Sequence, residues 1–125
     1  MAGYVELHCH SAFSFLDGAS LPHELAATAA EHGYEALALT DHDGVWGAME
    51  FAQACRSLGV RPIVGAEVTV DGRRRTAPGG SGETDVAAPD GERPFHLTLL
   101  VESAAGWRNL CRLLTAAHAD TRPLP

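Results

Sequence analysis

Imidazoles and carboxylates are the usual holders of divalent metal ions, and here they collect beside apolar runs. His8-Cys9-His10 is the sharpest case. In extended backbone, side chains two apart point the same way, so both imidazoles face one point while Cys9 faces the other side. Such a pair can chelate a borderline metal, although taken alone it could equally be two solvated histidines at a strand end. Thr40-Asp41-His42-Asp43-Gly44 sets a histidine between two carboxylates directly after an apolar run. His42 is the candidate ligand, with Asp41 holding its other ring nitrogen or organising the turn. Asx-turn chemistry alone would also account for the segment. Gly65-Ala66-Glu67 places an acid inside an apolar stretch, where an unpaired carboxylate is costly and a coordinated cation removes that cost. His96, in Phe95-His96-Leu97, and Asp17, in Leu16-Asp17-Gly18, read singly as a core histidine and a turn acid. His23, His32 and His118 fall in helical segments and read as solvent-facing, without a role.

The elements that must position these groups alternate. Val5 to His8 reads as a short strand running into a loop at His10-Ser11. Ser20 is the expected N-cap of a helix with Pro22 in its first turn and Gly33 at its end. Ala36 to Thr40 is a buried strand followed by a polar turn at residues 41–44. Val45, Ala48, Met49, Ala52 and Cys55 mark one face of a second helix that Gly59 closes. Pro62 to Val70 is a third strand, interrupted at Gly65-Ala66-Glu67. Residues 71–93, crowded with Gly, Pro and charged residues, predict an irregular loop without ligands. Phe95 to Val101 is a fourth strand, and Ser103 caps a helix carrying Trp107, Leu110, Cys111 and Leu114. Strict alternation implies βαβ units and a parallel sheet, in which loops after strand C-termini converge on one rim. His8, His10, His42 and Glu67 suit such a rim, whereas His96 stands near the start of its strand.

Composition narrows the classes. A chain of 125 residues holds one domain with a modest core. No apolar run reaches the roughly 18 residues a membrane span needs, and Met1 to Glu6 has no signal-peptide character, so a cytoplasmic protein is expected. Cys9, Cys55 and Cys111 are odd in number and contain no CxxC pair, which suits reduced thiols. A formal charge of −7 argues against a surface that grips nucleic acid by itself, although bound cations would let an acidic chain handle phosphate.

Leu7-His8-Cys9-His10-Ser11, Phe15-Leu16-Asp17-Gly18-Ala19, Leu39-Thr40-Asp41-His42-Asp43-Gly44 and Gly65-Ala66-Glu67 stand in the order and spacing of the PHP (polymerase and histidinol phosphatase) domain. Within that superfamily the chain resembles the N-terminal PHP domain of bacterial DNA polymerase III alpha subunits. Cys9 between the histidines, and the run Ser14 to Ser20, resemble the error-prone branch. Asp17 also resembles the polymerase branch, since stand-alone phosphatases of the family usually carry histidine there.

The resemblance implies a fold, a cofactor and an activity. The fold would be an α/β architecture, the N-terminal half of a distorted (β/α)7 barrel, with residues 1–125 as its truncated first part. The cofactors would be divalent ions such as Zn²⁺ or Mn²⁺, up to three in the complete domain. The implied ligands are His8, His10, Asp17, His42, Glu67 and His96. His8, His10 and Glu67 would share one ion, Glu67 would bridge to a second held by His96, and Asp17 and His42 would serve a third. Further ligands, a later histidine and a closing Asp-x-His, would lie beyond Pro125. The implied chemistry is metal-assisted phosphoester hydrolysis, in the polymerase branch a 3′-to-5′ exonuclease, with no catalytic residue beyond the ligands. Partners would be DNA and the polymerase domains that follow, and no membrane. A stand-alone phosphatase of a small phosphate monoester, or a non-catalytic metal-binding scaffold, are the competing expectations.

Overall fold

Ala36-Leu37-Ala38-Leu39-Thr40-Asp41 is buried at every position, which only a strand covered on both faces can be. It forms the first strand of a three-stranded sheet in the computed structural model, which describes residues 3–70 and 94–119. In chain order the elements are α1 (Pro22–Glu31), β1 (Ala36–His42), α2 (Ala48–Ser57), β2 (Arg61–Val70), β3 (Phe95–Leu100) and α3 (Ala104–Ala117). The strands lie in the order β1-β2-β3. The expected loop at 71–93 lies outside the described residues.

Several boundaries differ from the sequence reading. Residues 5–8 form no strand, only a bridge from Glu6 to Leu37 and a hydrogen bond from the Ala38 N–H to the Glu6 carbonyl. The N-cap of α1 is Leu21 rather than Ser20, because the Glu24 carboxylate reaches back to accept the Leu21 N–H at 2.7 Å. The turn expected at 41–44 begins later, since β1 continues through His42. Likewise β2 runs unbroken through Gly65-Ala66-Glu67. Gly65 is required there: a Cβ would stand 2.2 Å from the Leu99 carbonyl oxygen of the neighbouring strand. In α2 the buried face is Ala48, Phe51 and Cys55, and Met49 is exposed, because Phe51 has the larger apolar area to bury. Ser103 caps α3 as expected, accepting the Gly106 N–H at 3.2 Å.

The larger correction concerns strand direction. β1 and β2 are parallel, but β2 and β3 are antiparallel, with Val70 opposite Phe95 and Thr69 opposite His96. The chain turns back between them without a crossover helix among the described residues. Antiparallel strands need no crossover between them, whereas a parallel partner demands one.

Two apolar clusters hold the layers together. Ala26 and Ala29 of α1 with Phe51 and Cys55 of α2 pack on Leu37 and Leu39 of β1. Leu110 and Leu114 of α3 pack on Ala66 and Val68 of β2. Register aligns Leu39 with Val64 and Asp41 with Ala66, so both clusters occupy one face of the sheet. The three helices cover that face, and the alternate residues, among them His42 and Glu67, point to the other. This is the arrangement of a section of a (β/α) barrel, with helices outside and chemistry inside.

Candidate metal centre

Glu67 is the centre of the site. It is 4% exposed, and register holds it beside His42 on β1 and Thr98 on β3. His96 lies two residues before Thr98 and hence on the same face. His8 and His10 arrive from the segment before α1, anchored by hydrogen bonds between Cys9 and Thr40. The Thr40 N–H donates to the Cys9 carbonyl at 2.8 Å, and the Cys9 N–H donates to Thr40 Oγ1 at 3.2 Å.

Each oxygen of the Glu67 carboxylate faces a pair of imidazoles. His8 Nε2 meets Oε2, and His10 Nε2 lies 3.0 Å from the same oxygen. On the other side His96 Nδ1 is 3.0 Å and His42 Nδ1 3.5 Å from Oε1. The ligand atoms of His8, His10 and Glu67 all lie within 4.8 Å of one another, as do those of His42, Glu67 and His96. That is about twice a metal–ligand bond of roughly 2.0–2.3 Å. His42 Nδ1 is buried and has no hydrogen-bond partner among the described residues. A buried ring nitrogen left unpaired beside a carboxylate is costly, and a cation between them would satisfy both. The donor set, imidazole nitrogens around a shared carboxylate, suits a divalent borderline ion. The residues therefore fit the group the sequence implied.

Asp17 stands apart from both groups. Its Oδ2 lies 3.1 Å from His10 Nδ1, the ring nitrogen other than the one facing Glu67. His42, expected beside Asp17, stands instead with Glu67 and His96.

Electrostatics follow from these contacts. Burial alone would raise the Glu67 carboxyl, but the hydrogen bonds and positive charge of His8 and His10 outweigh it, and the net shift is downward. Asp43 behaves alike: burial pushes up, while hydrogen bonds from Thr69 and the nearby His42 and His118 pull its carboxyl below the usual range.

Asp41 does not hold the His42 ring. Consecutive strand residues face opposite ways, so Asp41 turns toward the helices, where its carboxylate accepts from Ser11, Ser14 and the Gly47 N–H.

Four contributors escaped the sequence reading. Ser11 and Ser14 are buried, and their role is visible only once the loop folds over β1. Asp43, at φ 51°, accepts from the Thr69 N–H and Oγ1, both at 2.7 Å, and so ties the rim to β2. His118, expected in solvent, puts Nε2 2.6 Å from the Asp43 carbonyl oxygen and its ring against Trp46. No local pattern announces such a contact across 75 residues.

Comparison with known proteins places this geometry. The PHP domain matches residues 6–123. An error-prone DNA polymerase from Mycolicibacterium paratuberculosis is 50% identical over 115 residues, which are 92% of this chain and 10% of that protein. One from Symbiobacterium thermophilum is 44% identical over 120 residues, 96% of this chain and 9% of the relative. The chain thus spans about a tenth of the length of these relatives. Among solved structures, an amidohydrolase from Chromobacterium violaceum, with bound sulfate and no metal, superposes with a TM-score of 0.57 at 30% identity. That superposition covers 86% of this chain and 32% of the other. The match covers most of the sequence, and the chain belongs to the PHP domain family.

Proposed function

We propose that this chain is the N-terminal part of a PHP phosphoesterase domain within an error-prone DNA polymerase of the polymerase III alpha type, and that the domain trims DNA from the 3′ end. The observation that carries the reading is the Glu67 carboxylate with an imidazole pair on each oxygen, the geometry of a bridging ligand. The relatives named error-prone DNA polymerase, each roughly ten times as long, support the larger setting.

In this reading His8, His10 and Glu67 hold one ion, Zn²⁺ or Mn²⁺, and His42, Glu67 and His96 a second. Asp17, against the other ring nitrogen of His10, orients that imidazole. The ions, when bound, activate water near neutral pH and offset the charge developing on the phosphate. Glu67 keeps both imidazole pairs at one spot. Thr40 fixes the backbone between His8 and His10, and Asp43 holds the rim against β2. No other side chain in the cluster is needed as nucleophile. DNA reaches the site through the rest of the polypeptide, whose further domains are the partners, in the cytoplasm. Among the described residues no helix is long and apolar enough to cross a membrane.

The test compares the full-length protein with a His8→Ala/His10→Ala double variant, following digestion of a 3′-ended strand and primer extension with Zn²⁺ or Mn²⁺ present. Loss of digestion with extension intact is expected. Equal digestion by both proteins would remove the nuclease assignment. Absence of digestion in both, with metal shed only by the variant, would leave a structural metal site.

A further inference from the structure

The structure assigns Asp41 a task beyond the ligand set: we propose that the Asp41 carboxylate, acting through Ser11 and Ser14, is the positioning residue that registers the His10–Gly18 loop against His42. The inference rests on the metal-centre reading above. Asp41 is 1% exposed, Ser11 0% and Ser14 2%, so these hydrogen bonds are dry. The Ser11 N–H donates to Asp41 Oδ1 at 2.7 Å, and Ser11 Oγ stands 2.9 Å from both carboxylate oxygens. Ser14 Oγ lies 2.9 Å from Oδ1. The Gly47 N–H, at the start of α2, approaches Oδ2 at 3.4 Å.

Proton accounting fixes the direction of these bonds. A hydroxyl has one proton to give. The His42 N–H can only donate, and it donates to Ser14 Oγ at 2.9 Å, so the Ser14 proton goes to Asp41. Ser11 Oγ in the same way accepts the Phe13 N–H at 3.2 Å and gives its proton to the carboxylate. One carboxylate therefore holds Ser11, the neighbour of His10, and reaches the backbone of His42 through Ser14. The Ser14 carbonyl continues the chain of contacts, accepting the Asp17 N–H at 3.0 Å and the Gly18 N–H at 2.9 Å. Three residues of the proposed centre, His10, Asp17 and His42, take their relative positions from a group that touches none of their side chains. Gly18 reports how tightly the loop is drawn in, because a Cβ there would stand 2.0 Å from the Ser11 carbonyl oxygen.

The step from positioning to metal affinity is general. Groups that orient ligands without touching the ion typically change affinity 10–100-fold when removed. Ser14→Ala deletes one hydroxyl with little change in volume and cuts the link to His42. Asp41→Asn presents an amide donor where donors already converge, so at least one of them loses its acceptor.

The experiment measures Mn²⁺ affinity and ions per chain in the full-length protein and in Ser14→Ala, Asp41→Asn and Ala26→Gly. Ala26 lies in the α1–α2 core, away from the rim, and its variant matches a general loss of stability. Affinity should fall roughly 10–100-fold in Ser14→Ala and Asp41→Asn and stay near the wild-type value in Ala26→Gly. Wild-type affinity in folded Ser14→Ala would overturn the proposal. So would an equal loss in Ala26→Gly, because a loosened fold alone would then explain the effect. If Glu67→Gln binds as much Mn²⁺ as wild type, the metal-centre reading itself has failed, and the Asp41 inference falls with it.

Discussion

Neutralising Glu67 separates a bridging carboxylate from an ordinary ligand. Each of its oxygens serves a different imidazole pair, and the two three-residue groups have Glu67 alone in common. Glu67→Gln keeps the shape of the side chain and removes its charge from both groups at once. His96→Ala removes a ligand from one group only. Metal content should therefore fall about twice as far in Glu67→Gln as in His96→Ala, relative to wild type. A weakening of about 100-fold, or roughly 2.7 kcal/mol, is the modest estimate, since orienting partners alone are worth 10–100-fold. At a free-ion concentration ten times the wild-type Kd, occupancy would drop from about 90% to about 10%. The assay is dialysis at that concentration followed by elemental analysis of the full-length protein. Taking differences between variants cancels any ions bound elsewhere in the polypeptide. An equal loss in the two variants would refute the bridging role.

Other consequences are as direct. Phe51 is 0% exposed between α1, α2 and β1, so Phe51→Ala should cost about 3–5 kcal/mol, read by denaturant titration. Gly65→Ala forces a Cβ against the Leu99 carbonyl and should uncouple β3 from β2, seen as loss of amide-exchange protection in Phe95–Leu100. Burial pushes the Cys55 thiol up to about 11. A folded-state value above the unfolded one means its stabilising contribution is complete below about pH 9 and fades as pH rises toward 11. Alkylation of Cys55 at pH 8 should accordingly need denaturant, as a mass-spectrometric time course would show.

The residues that meet around Glu67 could be picked out in the chain, His8 and His10 by their spacing and the others through the family resemblance. His8 and His10 needed only the two-residue period of extended backbone. His96 shows what could not be read. At the start of its strand, it falls on the wrong rim of a parallel sheet. The reversal of β3 brings that start level with the ends of β1 and β2. Strand direction is settled by pairing between distant segments, and a six-residue apolar run carries no mark of it. Asp41 failed to show its role for a related reason. Whether it shares a face with His42 depends on β1 continuing two residues further, through His42, and that is decided by the partner residues Ala66 and Glu67.

The antiparallel return has a practical side. Val70 and Phe95 are opposite one another in register, so the chain leaves the sheet and re-enters it at the same edge, level with the imidazole cluster. A connection whose ends are neighbours can change length at little thermodynamic expense, about 0.6 kcal/mol for each doubling. Its length is thus decoupled from the register of the strands it joins. For protein engineering this marks a splice point: a module inserted between Val70 and Phe95 should leave the pairing of β2 with β3 as it is.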